Sequence, residues 1–302
     1  MIVLVSGASG FVGQAVVSAL RVAGHTVVGL GRDPARLAAG VPGLAEARAW
    51  PAFDVPPDLG GLTVDAVVHL AGEPVSGRWT AARRRLIRES RVTGTRTLVE
   101  ALRRAGQRPA RFVSASAIGY YGDRGEEPLP ESAAPGEDFL ASVCVDWEAA
   151  AREADSLGAV TTQLRLGIVL GPGGGALARM LPLHRRGLAG PLGPGTQWWS
   201  WVHRDDVVGL VVWALDGRVH GAVNAVAPAA ERQLDVSRAL CRRLGRRAWL
   251  PTPAFALRLA LGGFASELLA SKRVLPERVL ASGYAFRFPG IDDAVKDLLS
   301  EG

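Results

Sequence analysis

At 302 residues, with 48% hydrophobic and 21% charged side chains, the chain is long enough for one large α/β domain or two coupled lobes around a well-filled core. No uninterrupted apolar run reaches membrane-spanning length, and Cys144 and Cys241 are too few for a disulfide framework or a zinc cluster. A cytoplasmic protein with no metal site is therefore expected. The net charge of +6 is carried by scattered arginines, with Arg83-Arg84-Arg85 the densest cluster and Lys272 and Lys296 the only lysines. No basic groove interleaved with aromatics results, which sets nucleic acid aside as a principal partner.

The first element is the most informative. Ile2-Val3-Leu4-Val5 runs into Gly7-x-x-Gly10-x-x-Gly13, and Val12, Val16, Val17 and Leu20 follow at helical spacing. The order is buried strand, tight turn and helix, with no basic leader before it. Gly7 permits the turn, Gly10 lets backbone approach a pyrophosphate, and Gly13 lets the helix pack on the sheet. The helix start aims free N–H groups and its positive dipole end at that anion.

His25 to Leu30 reads as the second strand. The place past it that usually holds a ribose-binding acid is filled by Gly31 and Arg32. An arginine beside a small residue pairs with a 2′-phosphate, which favours NADP over NAD. Asp33 competes for the role, but Asp followed by Pro34 is a helix start. Residues 44–50 form a third strand and residues 64–72 a fourth. His69 there is either a packed strand-end residue or a catalyst.

A long helix is expected from Thr80 to Ala105, a strand from Arg111 toward the turn at Tyr120-Tyr121-Gly122, a helix from Phe139 to Asp155 and a sixth strand from Val160 to Leu170. Strict alternation of strand and helix predicts a doubly wound parallel sheet covered on both faces, a Rossmann-type α/β fold. Residues 1–170 would form this core, with a helix and strand near 203–227 returning to it. The rest of 171–302 would make a smaller, mostly helical substrate lobe. Trp198, Trp199 and Trp201 are either lobe packing or an aromatic wall over a pocket.

Taken together, Gly7-x-x-Gly10-x-x-Gly13, His69-Leu70-Ala71-Gly72, Ser114-x-Ser116-Ala117 with Tyr121-Gly122, and Asp205-Asp206 resemble the extended short-chain dehydrogenase/reductase superfamily of nucleotide-sugar epimerases and dehydratases. The likeness sharpens toward an atypical epimerase-like branch once mislabelled as cell-division inhibitors. It is carried by Glu73-Pro74, Arg78-Trp79, Ser90-Arg91-x-x-Gly94-Thr95, Trp147-Glu148, Gly167 to Gly171, Gly173 to Leu177, Trp201-Val202-His203 and Val274-Leu275-Pro276. The resemblance covers essentially the whole chain, including a small C-terminal domain of unknown function. It implies NADP(H) held by Gly7, Ser9, Gly10, Phe11, Val12, Gly13 and Arg32, flanked by His69, Leu70, Ala71, Gly72 and Glu73. Arg91 would reach the cofactor from the long helix, and Gly167 and Ile168 would border its nicotinamide end.

The superfamily moves its proton with Tyr-x-x-x-Lys on one helical face. The chain has three tyrosines and two lysines, and none stand four apart in that order. Leu140 and Cys144, or Phe139 and Val143, occupy the two places. Ser116 and Tyr121 remain as candidate catalytic groups, in a cleft also lined by Trp201 and His203. A phenol at Tyr121 would need a cation beside it to titrate usefully, and the sequence identifies none. Two functions stay open: an NADP(H)-dependent oxidoreductase or epimerase acting on a small substrate with altered acid–base groups, or a non-catalytic NADP(H) sensor or scaffold. Monomer and homodimer are both compatible with the sequence.

Overall fold

A computed structural model describes residues 1–300. Seven strands form one parallel sheet: β1 (Ile2–Ser6), β2 (Thr26–Gly31), β3 (Glu46–Ala49), β4 (Ala66–His69), β5 (Arg111–Ala117), β6 (Val160–Leu166) and β7 (Gly221–Ala225). Their spatial order is β7-β6-β5-β4-β1-β2-β3, so the order reverses between β1 and β4. The carboxyl ends of those two strands therefore diverge into a crevice, where ligands lie in open α/β sheets.

The strands are apolar on both faces, as a covered parallel sheet requires. Val3 and Val5 point to one side with Val68 and Val113; Leu4 points to the other with Val67 and Phe112. On the first side lie helices α1 (Phe11–Val22), through Val16, Val17 and Leu20, and α6 (Arg204–Leu215), through Leu210 and Val211. The second side is covered by α3 (Ala81–Arg104), through Leu98, Val99 and Leu102, and by α4 (Phe139–Arg152), through Ala151. Each such aliphatic side chain contributes roughly 1.5–3 kcal/mol on burial.

Helix α2 (Pro34–Gly40) starts as the Asp-Pro dipeptide predicts, with the Asp33 carboxylate accepting the Arg36 N–H at 3.0 Å. The loop before α3 contributes Phe53, whose ring lies where a Cβ on Gly94 would be only 2.8 Å away.

The sixth strand ends earlier than its apolar run suggests. Gly167 donates its N–H to Ala225 O at 3.1 Å, and Ile168 then donates to Ser200 O at 2.9 Å. The chain thereby leaves the sheet, and Ile168–Leu170 pairs instead with Trp201–His203. Only glycine fits at the exit, since a Cβ there would stand 2.6 Å from Ser200 O. The fifth strand likewise stops at Ala117 and tightens into a 3₁₀ turn over Ile118–Tyr121.

Beyond this exit come α5 (Gly175–Arg185), α7 (Gln233–Arg243), α8 (Ala254–Leu261), α9 (Phe264–Leu269), α10 (Glu277–Ala281) and α11 (Ile291–Leu298). A second core forms there from Leu170, Leu177, Trp201, Leu240, Phe288 and Val295. Trp201 is thus lobe packing, while Trp198 and Trp199 face the cleft described below. Within this region Glu231–Arg232 pairs with Trp198–Trp199, and Arg273–Val274 pairs with Pro128–Leu129 to tie it back. Among the described residues no helix is long and apolar enough to cross a membrane.

His69 is a packed strand-end residue and not part of the crevice lining. Its ring is fully buried beside Trp50 and Phe112, with Nδ1 2.6 Å from Ser6 Oγ and Nε2 2.9 Å from Thr95 Oγ1. Burial penalises the charged form and lowers its pKa from 6.5 to about 4. The unfolded chain therefore binds the extra proton between those values, and stability is lost as pH falls from 6.5 toward 4. His69 should account for up to about 3 kcal/mol of that loss. The check is chemical denaturation across this range, where His69→Gln should show a flatter pH dependence than the parent.

Candidate functional site

The crevice at the switch point has two ends that share Leu70, Ala71 and Gly72 as a common wall. One end is a cavity of about 650 Å³ lined by Gly7, Ser9, Gly10, Gly31, Arg32, Glu73 and the segment Trp50 to Asp54. The other, of about 400 Å³, runs past Arg91, Ser116, Gly167 and Ile168 to the C-terminal helices.

The first end is built by backbone. Gly7 sits at φ +72°, and a Cβ there would meet Leu70 and Ala71 backbone at 2.8 Å. A Cβ on Gly13 would stand 2.0 Å from Gly7 O, so this glycine seals helix against turn. Gly10 precedes α1 in extended conformation and lends it no side-chain cap, and the first turn carries no acid. The leading N–H groups of α1, those of Phe11, Val12 and Gly13, are thus left for an anion. The Phe11 ring turns away from the crevice and packs on Gly171, Gly174 and Gly175, where any Cβ would lie within 2.8 Å of it. That contact explains the Gly-Pro-Gly-Gly-Gly run after the sheet exit.

Arg32 extends from the end of β2 and, among the described residues, makes no hydrogen bond or ion pair. Asp33 is committed to capping α2. Glu73 is half-buried and paired with Arg83 at 3.2 Å. Arg91 is held by the carbonyls of Glu73 at 3.0 Å and Ile87 at 3.2 Å, with its guanidinium 5.1 Å from the Trp147 ring centroid.

The second end is mostly apolar. Helix α4 presents Leu140, Val143, Cys144 and Trp147 to it, while Phe139 packs on Trp79. Of the pairs Leu140 with Cys144 and Phe139 with Val143, the first lines the cleft with both members and the second with Val143 alone. Burial pushes the Cys144 thiol up to about 12, so it is a neutral wall group and no nucleophile. Ser116 lines the cleft, but its hydroxyl donates to Glu148 Oε1 at 2.7 Å, which leaves it an acceptor toward the cavity.

Tyr121 does not belong to the cleft. It is fully buried behind Ser116, donating to Asn224 Oδ1 at 2.7 Å and accepting from Arg165 Nη1 at 2.9 Å. Arg165 is the cation the sequence did not reveal, yet burial outweighs it and raises the phenol to about 12. His203 is also absent from the lining, since it caps α6 by accepting the Asp205 N–H and stacks on Phe288 at 4.0 Å.

Sequence reasoning missed three features. Trp50 to Asp54 forms a crevice wall, which nothing in its composition announces. Glu148 and Arg165 form a two-pronged pair at 2.8 and 2.9 Å, both almost wholly buried; a carboxylate four residues past Cys144 on an apolar helix face was its signal. Burial opposes the charge on Arg165, but Glu148 prevails and raises its pKa. Lys272, one of the two lysines, reaches the second end beside Glu267, with Nζ and Oε1 2.6 Å apart. Among the described residues no cluster of His, Cys, Asp and Glu is placed to hold a metal ion.

Removing one partner of a buried pair strands the other charge. Arg165→Met should therefore lower stability by about 3–5 kcal/mol. The readout is a urea midpoint at unchanged m-value.

The model of the NAD dependent epimerase/dehydratase family matches residues 3–226, and that of a domain of unknown function, DUF1731, matches residues 252–298. The chain is 37% identical over 309 residues to the chloroplastic epimerase family protein SDR39U1 homolog of Arabidopsis thaliana, covering 99% of this chain and 87% of that protein. It is 35% identical over 307 residues to the human epimerase family protein SDR39U1, covering 99% and 100%. The crystal structure of human SDR39U1, isoform 2, with NADPH is similar at a TM-score of 0.88 and 33% identity, covering 99% of each chain. With sheet order, glycine turn and C-terminal region all in agreement, the chain belongs to the NAD dependent epimerase/dehydratase family.

Proposed function

We propose that the protein binds NADP(H) along the crevice and acts, as an epimerase- or reductase-like enzyme, on a small molecule in the apolar cleft without a Tyr-x-x-x-Lys pair. The observation that carries the cofactor choice is Arg32, a guanidinium at the end of β2 with no partner among the described residues, beside the bare backbone of Gly31. The nearby acid is consumed by a helix cap, so that end offers a 2′-phosphate a cation and offers a 2′-hydroxyl no carboxylate from the Arg32-Asp33 turn. The human relative's crystal structure contains NADPH, which supports the same reading.

The residues present fit such a ligand. The uncapped start of α1 and the Gly10 backbone would receive the pyrophosphate. Trp50 and Phe53 would flank the adenine, and Leu70 to Gly72 would pass the chain of the ligand between the two cavities. Gly167 and Ile168 would border the nicotinamide. When bound, the cofactor supplies hydride exchange. The apolar face of α4 excludes water there, and Ser116, fixed by Glu148, offers an oxygen lone pair to a substrate hydroxyl. Residues 171–302, apart from α6 and β7, would act as the substrate lobe, closing the cleft with Trp198, Trp199 and α9.

A second reading, a binder that keeps the cofactor without turnover, is favoured by one observation: the face that α4 turns to the cleft, Leu140, Val143 and Cys144, carries no acid–base pair. Arg32→Ala should weaken NADPH binding by on the order of tenfold to a hundredfold and leave NADH little changed. Titration calorimetry reads this, and equal loss of both sinks the 2′-phosphate assignment. NADPH oxidation over a panel of carbonyl and enone compounds separates enzyme from binder. Turnover that falls with Ser116→Ala supports the enzyme, and tight NADPH binding without turnover supports the binder.

A further inference from the structure

Two buried donors on the wall of the 400 Å³ cleft lack a full set of acceptors. Lys272 is almost wholly buried, and among the described residues its ammonium has one hydrogen-bond partner, Glu267. An ammonium carries three donors, so two remain for whatever fills the cavity. Trp147 Nε1 is likewise buried with no partner. Buried donors without acceptors are costly, and a native fold tolerates them where a ligand or ordered water completes the set. The remaining polar groups are already engaged: Ser116 donates to Glu148, and Ser200 donates to Lys272 O while accepting the Val274 N–H. Arg91 is held by the Glu73 and Ile87 carbonyls and Glu267 by Lys272, and the rest of this end is mainly hydrocarbon or aromatic, from Leu140 and Val143 across to Trp199 and Phe264.

We propose that this cleft is a binding site for a small, largely apolar carbonyl compound whose oxygen is held by the Lys272 ammonium, with Glu267 fixing the position of that ammonium. The inference rests on the dinucleotide reading above, which leaves this end of the crevice to the substrate. Three observations carry it. The buried hydrogens without an acceptor belong to the Lys272 ammonium and Trp147 Nε1, so a ligand atom that completes them is an acceptor. The walls are apolar, so the rest of the ligand is apolar too. The cavity lies near the lower end of the ~300–1,000 Å³ typical of small-molecule sites, and it is shared with the cofactor's reactive end. Its cations are Lys272, already neutralised by Glu267, and Arg91, already held by backbone carbonyls. A nucleoside diphosphate, which calls for cations free to pair with its two phosphates, would find both of these already engaged.

Lys272 is the natural anchor because of where the chain places it. The Arg273–Val274 bridge to Pro128–Leu129 fixes the segment, and Lys272 N–H donates to Trp198 O at 3.2 Å. The side chain thus enters the cleft from the C-terminal region, opposite the α4 face that lacks a polar pair. Lys272 is proposed as a substrate-binding residue; Glu267 is a positioning residue that acts through it.

The test uses the full-length protein and three probes: acetophenone, ethylbenzene as its matched hydrocarbon, and UDP-glucose. Titration calorimetry is run with and without saturating NADPH. Acetophenone should bind about tenfold tighter than ethylbenzene, the increment expected of one hydrogen bond to a charged donor, and UDP-glucose should not displace it. Lys272→Met should shrink that ratio to about twofold or less while ethylbenzene affinity holds, the latter reporting an intact apolar cavity. Lys272→Gln, which keeps a donor without the charge, should give an intermediate ratio, and this variant decides the matter if the methionine variant fails to fold. Glu267→Gln should lower the ratio without abolishing it. Equal affinity for ketone and hydrocarbon, a ratio unchanged in the Lys272 variants, or UDP-glucose binding in preference to acetophenone overturns the proposal. NADPH binding without ketone discrimination overturns this proposal alone. Ketone discrimination without NADPH binding overturns the cofactor reading and leaves this one standing.

Discussion

The Glu148–Arg165 pair is the interaction on which the rest of the cleft depends. It joins α4 to β6 where both are buried, and a charge pair in such surroundings is tolerated only when its geometry and its hydrogen bonds are complete. Here they are nearly so. Arg165 grips both carboxylate oxygens, donates to Tyr121 and to Glu131 O, and lies 3.5 Å from the Tyr120 ring centroid. Glu148 also receives the Ser116 hydroxyl, and Tyr121 passes the chain on to Asn224, which bonds Leu275 O. One network therefore sets the rotation of α4, the direction of Ser116 and the seat of the C-terminal segment. The apolar face that α4 shows the cleft follows from that rotation.

The two ends of the crevice are made by different means. At the amino-terminal end, backbone does the work: Gly7 and Gly13 are required by contacts of 2–3 Å that no Cβ survives, and the helix start is left open. At the far end side chains do it, and they come from two regions distant in sequence, α4 with β5 on one side and residues 198–200 and 264–272 on the other. Where the two ends draw on different parts of the chain, one can change in sequence while the other stays constant.

Tyr121 and Lys272 are placed by the fold in opposite senses, one turned into the core and one into the cleft. Tyr121 lies in the turn just past β5 and is turned inward, where burial keeps it protonated. The polar group that does enter the cleft arrives from the C-terminal region, outside the stretch matched by the epimerase family and inside the one matched by DUF1731.

Sequence by itself determined the sheet and its helices, because side-chain period is a local property. Strands of alternating exposure to two apolar layers and helices with one buried stripe can be read within a window of a dozen residues. The glycine turn, the Asp33 cap and the unusual Arg32 were legible for the same reason, each depending on neighbours within a few positions. Tertiary structure alone decided which polar groups face the cleft. Arg165 lies 44 residues from Tyr121, and Asn224 lies 103 from it, so their burial and pairing follow from strand order and not from spacing. The inward turn of Tyr121, the sheet exit at Gly167 and the arrival of Lys272 opposite α4 are consequences of how distant segments meet. A buried polar atom takes its partner from whatever the fold brings within 3 Å, and no local pattern encodes that.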